Sequence, residues 1–267
     1  MGNLRHEKLT YELRGAIFEV HRRLKVGWPE EAYHRALAHL LESRSIPVQF
    51  KPRRTLTHRG LDIHTFECDL LVYDQIIVEL KTLPYAHFAP SHYSQLIHYL
   101  KCWGKDLGLL ANFGPLRAEI ERRIWDEPNL PAREEYESIR GNYFHADNSP
   151  LDLIRQTILN IGNQYGLGYP EIVYRKIAEI DLNLAGLKCE SQTRVCVKLG
   201  DDPDHEFITD YFLINDAYLL NIRALLGYPT KYDFAQMKTY LNQLGLNIGL
   251  IVNFGKQQLQ IFGVDPD

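Results

Sequence analysis

The chain has 267 residues, of which 45% are hydrophobic and 24% charged, enough to build one large or two ordinary globular domains. No apolar run approaches the roughly 18–20 residues that span a bilayer, and the polar opening segment lacks the apolar core of a signal peptide, so we expect a soluble, cytoplasmic protein without membrane contact. The four cysteines are scattered without CxxC pairs, which argues against a structural zinc site or a disulfide framework.

Charge is unevenly distributed along the chain, although the formal net charge is only −4. Residues 1–127 contain 18 Lys and Arg against 16 Asp and Glu, whereas residues 128–267 contain 12 against 18. The first part is therefore slightly basic and the second clearly acidic. Neither has a basic footprint typical of nucleic-acid binding, and a nucleic-acid ligand would sooner meet the first part.

The first part of the chain alternates helical and strand-like patterns. Apolar residues at helical spacing predict a helix over residues 4–24, and Gly27 and Pro29 are typical of a helix end and of the first turn of a second helix. The predicted helices lie at 4–24, 29–43 and 90–103. The predicted strands lie at 47–51, 53–58, 66–73, 76–82, 107–112 and 117–125, with a hairpin at Asp74-Gln75.

The second part of the chain repeats this order after a segment rich in proline and charge. Residues 126–149 have the composition of a linker, with enough Glu and Arg at 133–140 for a helical turn or two. The predicted helices that follow lie at 150–165, 170–184 and 230–244. The predicted strands lie at 190–198, 206–214, 217–224, 246–252 and 257–263.

A constant offset relates the two parts. The segment GWPEEAY at residues 27–33 recurs as GYPEIVY at residues 168–174, displaced by 141 residues. The same displacement carries further residues onto identical ones: Asp69 to Asp210, Gln95 to Gln236, Tyr99 to Tyr240, and Asn-Phe-Gly at 112–114 to 253–255. Chance does not hold one offset over five separated segments, so we interpret the chain as a tandem duplication. The expected organisation is a first domain at 1–125, a linker at 126–149 and a second domain at 150–267.

Three charged residues interrupt the apolar strand pair at residues 66–82. Glu79 and Lys81 are two residues apart and therefore point to the same face of a strand, and Asp69 lies on the neighbouring strand. Buried charges are costly unless they are paired or bind a metal, and a divalent cation relieves the repulsion between two carboxylates. The pattern predicts a metal site, with a structural ion-pair network as the alternative.

The turn between these strands sets a geometric condition. A two-residue turn would pair Asp69 with Leu80 and would leave Asp69 on the opposite face from Glu79 and Lys81. A shared site therefore requires a loop of odd length or a β-bulge, and we predict one of these.

Taken together in this order, these residues resemble the PD-(D/E)XK nuclease superfamily. Asp69 followed by Glu79-Leu80-Lys81 resembles its signature, although Cys68 stands where the superfamily's proline would be. The preceding Gly27-x-x-Glu30-x-x-Tyr33 and the following His92-x-x-Gln95-x-x-x-Tyr99 are similar to its GxxExxY branch. The resemblance covers nearly all of residues 5–125 and, more weakly, 150–264. It implies two tandem restriction-endonuclease-like α/β domains, each a mixed central sheet flanked by helices.

The resemblance also implies a metal-dependent nuclease and a role for each position. Asp69 and Glu79 would bind Mg²⁺ or Mn²⁺ with the Leu80 carbonyl as a further ligand. Lys81 would orient or activate the attacking water and stabilise charge on the phosphate. Glu30 would complete the acidic cluster or support a second metal. Gln95 would complete the catalytic set by holding the lysine or a metal-bound water. The supporting residues would be Tyr33, His92 and Tyr99. The substrate would be nucleic acid, DNA more readily than RNA.

Structural interpretations remain open for several of these residues. Glu30 is also a first-turn helix acid favoured by the helix dipole, Tyr33 and Tyr99 suit a core, Gln95 suits a helix surface, and His92 suits a helix cap. His34 and the other histidines of the first part show no metal-binding spacing. For the whole chain, the alternatives are a non-catalytic nucleic-acid- or protein-binding scaffold and a metal-dependent hydrolase of a small phosphoester.

The second copy lacks the charged core of the first. After a one-residue insertion, Asn221 aligns with Glu79 and Arg223 with Lys81. An amide lacks the negative charge of a metal-binding carboxylate, and a guanidinium stays protonated. The counterparts expected to remain are Glu171, Asp210 and Gln236. We interpret this copy as a pseudo-nuclease domain that packs against the first as an internal pseudo-dimer, in a chain that is then able to be monomeric.

Overall fold

The computed structural model describes residues 5–85, 87–139, 149–197 and 205–266. The chain divides into two compact units, Met1–Asp126 and Glu127–Asp267. Within the described ranges, no helix is both long enough and apolar enough to cross a membrane.

The first unit is a mixed sheet with helices on both faces. Its helices are α1 (Glu7–Leu24), α2 (Glu30–Ser43) and α3 (Pro90–Trp103). Its strands are β1 (Val48–Phe50), β2 (Arg53–His58), β3 (Leu61–Glu67), β4 (Leu70–Val72), β5 (Ile76–Lys81), β6 (Leu107–Asn112) and β7 (Glu119–Ile124). The central sheet has the order β1-β4-β5-β6-β7, in which β5 and β6 are parallel and the other neighbours antiparallel. Strands β2 and β3 form a separate hairpin.

The two faces of this sheet have separate apolar cores. Val78 and Leu80 of β5 pack with residues of α1 and α2, such as Leu37. Ile77 packs with residues of α3, such as Leu96. Because side chains alternate along a strand, the odd-numbered residues of β5 lie on the side of α3.

The second unit repeats this architecture with one additional strand. Its helices are α4 (Pro150–Tyr165), α5 (Glu171–Leu184) and α6 (Lys231–Leu244). Its strands are β8 (Arg133–Glu135), β9 (Cys189–Glu190), β10 (Thr193–Val197), β11 (His205–Thr209), β12 (Phe212–Ile214), β13 (Tyr218–Arg223), β14 (Ile248–Phe254) and β15 (Leu259–Val264). The sheet has the order β8-β15-β14-β13-β12-β9, and β10 and β11 form a separate hairpin. The predicted mixed sheet flanked by helices is confirmed in both units.

Several details differ from the sequence-based expectation. The helical turn expected at 133–140 is wrong for Arg133–Glu135, which is a strand that pairs in parallel with β15, whereas residues 136–139 form one turn in which the Ile139 N–H donates to the Tyr136 carbonyl at 3.0 Å. The single strand expected at 66–73 is also wrong, because the chain breaks at Cys68 and Asp69 between β3 and β4. The reason is that β3 pairs only with β2, so the chain has to leave that hairpin before β4 joins the central sheet. The expected strands at 190–198 and 206–214 are each divided in the same way.

Candidate active site

The hairpin between β4 and β5 brings the predicted acidic residues to one face. It has a three-residue loop, residues 73–75, because Val72 pairs with Ile76. Continuing this antiparallel register to the end of β4 places Asp69 opposite Glu79, on the same face of the sheet. The predicted loop of odd length is therefore confirmed.

Glu79 is a buried carboxylate paired with a lysine two residues away. Only 1% of the Glu79 side chain is exposed, and Lys81 Nζ donates to its Oε1 at 2.6 Å. The second oxygen, Oε2, is buried and has no hydrogen-bond partner among the residues that the structure describes. The pKa of Glu79 is raised to about 8, first by burial and then by the charge of Asp69, against the opposing effect of Lys81. A buried, unpartnered carboxylate oxygen of this kind favours a bound cation or proton.

Asp69 is held by the backbone of β5 and by a histidine of α2. The Leu80 N–H donates to Asp69 Oδ2 at 2.7 Å. His34 Nε2 lies 3.2 Å from the same oxygen and 4.0 Å from Glu30 Oε1. Burial lowers the pKa of His34, but the adjoining Asp69 carboxylate outweighs this effect and raises it overall. The sequence analysis did not predict His34 at the site, although its position one helical turn after Glu30 was an available signal.

The expected residues of α3 lie on the same side of the sheet. Gln95 Nε2 donates to the Tyr99 hydroxyl at 2.9 Å, and the pKa of Tyr99 is raised by burial and by the charge of Glu79. His92 Nδ1 accepts a hydrogen bond from the Ala89 N–H at 3.0 Å and so caps the start of α3. Gln95 therefore contacts Tyr99. The hydrogen bond of His92 agrees with the alternative that this residue caps the helix.

Tyr33 is a core residue that ties the turn before α2. Its ring is 1% exposed and stacks on Phe113 at a centroid distance of 4.7 Å. Its hydroxyl donates to the Lys25 carbonyl at 2.6 Å. These contacts fix where α2 begins and hence where Glu30 lies.

Asn112 holds the segment that follows Lys81. Its Oδ1 accepts from the Leu83 N–H at 2.8 Å and from the Gly114 N–H at 3.0 Å, and its Nδ2 donates to the Tyr85 carbonyl at 2.8 Å. A side chain added at Gly114 would lie 1.9 Å from the Leu83 carbonyl oxygen, so this close approach requires glycine. The repeated Asn-Phe-Gly was the sequence signal for this contact, although its role was not predicted.

The carboxylates fit a hydrated divalent cation. Across residues 5–85, 87–139, 149–197 and 205–266, no three His, Cys, Asp or Glu side chains are placed to hold a metal by themselves. Mg²⁺, however, keeps several waters and commonly uses only one or two carboxylates. Asp69 and the unpartnered Oε2 of Glu79 supply these. In an extended strand the N–H and C=O of one residue point to the same edge, so the Leu80 carbonyl points to the side of Asp69.

The second unit uses the same hairpin with different residues. Its loop also has three residues, because Ile214 pairs with Tyr218, and continuing the register places Tyr211 opposite Asn221. The prediction that Asp210 is the counterpart of Asp69 is therefore wrong, and Asp210 is exposed. Because the loops of both hairpins are equally long, the inserted residue of the second copy has to lie before the hairpin. Every residue of the second hairpin is therefore displaced by one position from the offset of 141.

The three further predicted counterparts in the second unit form two contacts, a pair of Arg223 with Glu171 and a hydrogen bond of Gln236 with Tyr211. Arg223 Nε is 3.3 Å from Glu171 Oε2. The Tyr211 hydroxyl donates to Gln236 Oε1 at 3.1 Å, and Gln236 Nε2 donates to the Tyr240 hydroxyl at 3.2 Å. The Asp69-Glu79-Lys81 set is thus replaced by Tyr211, Asn221 and Arg223.

One comparison with known proteins, a match to a family model, agrees with the duplicated architecture. A family model described as the PD-(D/E)XK nuclease superfamily matches residues 7–123 and, separately, residues 149–262. The chain is also similar to a solved structure titled "Crystal structure of SSO0001", at 19% identity and a TM-score of 0.30, over 45% of this chain and 60% of that one. The chain thus spans less than two thirds of that protein. No curated protein matches the chain.

Proposed function

The chain belongs to the PD-(D/E)XK nuclease superfamily, and we propose that its first unit is a Mg²⁺- or Mn²⁺-dependent nuclease that hydrolyses phosphodiester bonds in nucleic acid, with DNA as the substrate. The observation that carries this proposal is the placement of Asp69 and Glu79 on one face of the β4–β5 hairpin, with Lys81 Nζ 2.6 Å from Glu79. Within the superfamily we assign the chain to the GxxExxY branch, on Glu30, Tyr33 and their surroundings.

The metal would be held by Asp69, Glu79 and the Leu80 carbonyl. Glu30, whose Oε1 lies 4.0 Å from His34 Nε2 at the mouth of the cluster, would bind through a water or support a second ion. When bound, the ion supplies an acidified water and neutralises charge on the phosphate. The unpartnered Glu79 Oε2 supports this assignment, because an acceptor buried without a donor is otherwise unfavourable.

Lys81 would act through its charge. Burial lowers the pKa of Lys81, but the Glu79 carboxylate outweighs burial and raises it above its ordinary value. The ammonium group therefore stays protonated at neutral pH. It would stabilise negative charge on the phosphate and orient the attacking water rather than accept a proton.

The residues around this set would position it. Gln95 would turn from Tyr99 to a water or to Lys81 when substrate binds, and Tyr99 would line the side of α3 next to Glu79. His92 would maintain the start of α3, and Tyr33 the start of α2. One such site per chain fits nicking, or cleavage of single strands or ends.

A cleavage assay tests the proposal. Plasmid and single-stranded DNA are incubated with Mn²⁺ or Mg²⁺ and the wild type, Glu79→Gln or Lys81→Ala. We expect each variant to lose about 10²–10³-fold or more in rate, the scale seen when one preorganised electrostatic group is removed. Glu67→Gln on β3 and Lys8→Ala on α1 are the matched controls, because they change the same residue types on the surface of the same unit.

Either of two results contradicts the proposal. If Glu79→Gln and Lys81→Ala cleave as fast as the wild type, the cleavage does not come from this site. If no DNA or RNA substrate is cut with either metal, the alternative of a non-catalytic binding scaffold gains, and the nuclease assignment fails.

A further inference from the structure

The second unit concentrates unpartnered donors on the face that corresponds to the acidic face of the first. Six buried side-chain nitrogen or oxygen atoms have no hydrogen-bond partner within the part of the chain that the structure describes. Three of them are Arg175 Nη1, Asn221 Nδ2 and Arg223 Nε, of which Arg223 Nε forms an ion pair with Glu171 Oε2 at 3.3 Å without hydrogen-bond geometry. All three are nitrogen donors, so whatever satisfies them has to accept hydrogen bonds.

These three residues occupy the positions of the first unit's site residues. The offset of 141 places Arg175 at the position of His34 on the second helix of its unit. The strand register places Asn221 and Arg223 at the positions of Glu79 and Lys81. Arg175 and Arg223 thereby come within electrostatic reach of the same carboxylate, Glu171, just as His34 and Lys81 lie within reach of Glu30 in the first unit.

The cations of this face differ from those of the first unit. In the first unit one lysine lies among Asp69, Glu79 and Glu30, whereas here two guanidinium groups, those of Arg175 and Arg223, lie within electrostatic reach of Glu171. The exposed carboxylate of Asp210 also lies within reach of Glu171, and Asp233 lies within reach of Arg223. Burial raises the pKa of Glu171, and Arg223 and then Arg175 oppose this rise, so both guanidinium groups lie within electrostatic reach of the carboxylate. Two guanidinium groups in place of one ammonium group make this face less favourable for a cation, and more favourable for an anion, than the acidic face of the first unit.

The donors are held in place and one side is open to solvent. The Arg175 guanidinium lies 4.5 Å over the ring of Phe212, which fixes its plane. Asn221 is 1% exposed, and burial raises the pKa of the neighbouring Tyr211 phenol, an effect that Asn221 partly opposes although its Nδ2 does not reach normal hydrogen-bond geometry. The side chains of Arg223 and Glu171 are 34% and 35% exposed and form the entrance.

We propose that this face of the second unit, formed by Arg175, Asn221 and Arg223, binds a phosphate group. Guanidinium groups donate in a planar fork that matches phosphate oxygens, and an amide Nδ2 donates to a third oxygen. The choice of phosphate over another oxyanion rests on the proposed nuclease function. The phosphate comes either from a nucleic-acid strand or from free phosphate. The second copy has then exchanged cation binding for anion binding.

Binding to the full chain tests this inference without any cleavage. Inorganic phosphate is titrated in chloride buffer with EDTA, so that the first unit's acidic face has no metal to attract an anion. Binding is followed by calorimetry. A second titration compares a short oligonucleotide carrying a 5′-phosphate with the same oligonucleotide carrying a 5′-hydroxyl. We expect saturable binding of phosphate that Arg175→Gln and Arg223→Gln weaken by about tenfold or more.

Two further variants guard against loss of folding as an explanation. Arg194→Gln is the matched control, since Arg194 is an exposed arginine on β10 of the same unit, and its binding should equal that of the wild type. Glu171→Gln should bind phosphate more tightly, because it removes the carboxylate that competes for Arg223. An increase in affinity cannot come from an unfolded chain.

The outcomes separate this inference from the nuclease proposal. Absence of saturable phosphate binding, or binding that Arg175→Gln and Arg223→Gln leave unchanged, overturns it. Tighter binding of the 5′-phosphorylated oligonucleotide than of either the 5′-hydroxyl strand or inorganic phosphate assigns the source to nucleic acid. Binding of inorganic phosphate that neither strand displaces assigns the source to free phosphate, whereas displacement by both strands alike assigns it to the phosphodiesters of a nucleic-acid strand. Arginine-dependent phosphate binding without DNA cleavage under any metal supports this site while the nuclease proposal fails.

Discussion

The two units share a framework and differ in the residues that the framework brings together. In the first unit Tyr33 stacks on Phe113, and in the second Tyr174 stacks on Phe254 at a centroid distance of 4.0 Å. Asn253 accepts from the Leu225 N–H at 2.9 Å, as Asn112 does from Leu83. The residues opposite each other on the hairpin, in contrast, are two carboxylates in one unit and a phenol and an amide in the other.

This difference separates positioning from chemistry. An aromatic stack and a buried amide that satisfies backbone groups stabilise the fold whether or not a ligand is bound. A buried carboxylate such as Glu79 is favourable only with a cation or proton, since burial raises its pKa. Asn221 carries no such requirement. Each prediction below changes one side of the comparison and measures whether the other side responds as expected.

The largest expected effect comes from giving the first unit the residue of the second. Glu79→Asn should reduce cleavage by about 10³-fold, because the amide removes a ligand charge and leaves Lys81 without its partner. The reciprocal Asn221→Glu should not add a second Mn²⁺ per chain in calorimetry. The new carboxylate would lie opposite Tyr211, where the first unit has a second carboxylate, and would pair with Arg223. If Glu79→Asn cleaved DNA as fast as the wild type, Asn221 would not account for the loss of the nuclease site that we infer in the second copy.

The shared framework predicts equal losses of stability in both units. Asn112→Ala and Asn253→Ala should each lower the free energy of unfolding by about 2–3 kcal/mol, since each leaves buried backbone groups without partners. Urea unfolding measures this. Asn242→Ala, at an exposed position on α6, is the control and should change stability by less than about 0.5 kcal/mol. A loss confined to one unit would show that the framework is not shared.

Metal binding by the first unit should depend on pH. Because the pKa of Glu79 is raised from its ordinary 4.5 to about 8, a proton has to leave before a cation binds. Affinity for Mn²⁺ should therefore rise by about tenfold per pH unit between about pH 6 and 8 and then level off. In Glu79→Gln the dependence should be flat. A flat profile in the wild type would show that Glu79 is already ionised.

The same raised pKa fixes the sign of a stability effect. A carboxyl group with a raised pKa in the folded state stabilises the metal-free fold fully below its unfolded pKa, and this contribution is lost as pH rises through about 8. Thermal unfolding without metal should shift to lower temperature over that range, and Mn²⁺ should restore it most at the alkaline end.

The smallest expected effect concerns the helix caps at equivalent positions. Asp233 Oδ2 accepts from the Thr230 N–H at 2.7 Å, as His92 Nδ1 accepts from the Ala89 N–H at 3.0 Å. Asp233→Ala should cost about 1 kcal/mol and His92→Ala about half as much, because the carboxylate also complements the helix dipole. Urea unfolding is again the measurement. A larger loss for His92→Ala would indicate a further role for that ring.

Most of the elements and the geometry of the hairpin could be predicted from the sequence. The helix predicted at 90–103 matches α3 residue for residue, because its apolar spacing and its proline and glycine boundaries are local signals. The condition on the hairpin loop followed from the two-residue period of a strand, which needs no knowledge of the rest of the molecule. The break at Cys68 and Asp69 could not be predicted, because it depends on which strand β3 pairs with.

The amino-acid sequence alone determined the duplication, the strand that carries both Glu79 and Lys81, and the face of the strand that these two residues share. Only the tertiary structure decided that Tyr211 rather than Asp210 lies opposite Asn221. The constant offset of 141 does not reveal an inserted residue when the loss of another residue further along the chain restores the same offset. The tertiary structure also decided that His34 meets Asp69 and that Arg133–Glu135 joins the second sheet. These contacts join residues far apart in sequence, and hydrogen-bond register and packing select them rather than any local pattern.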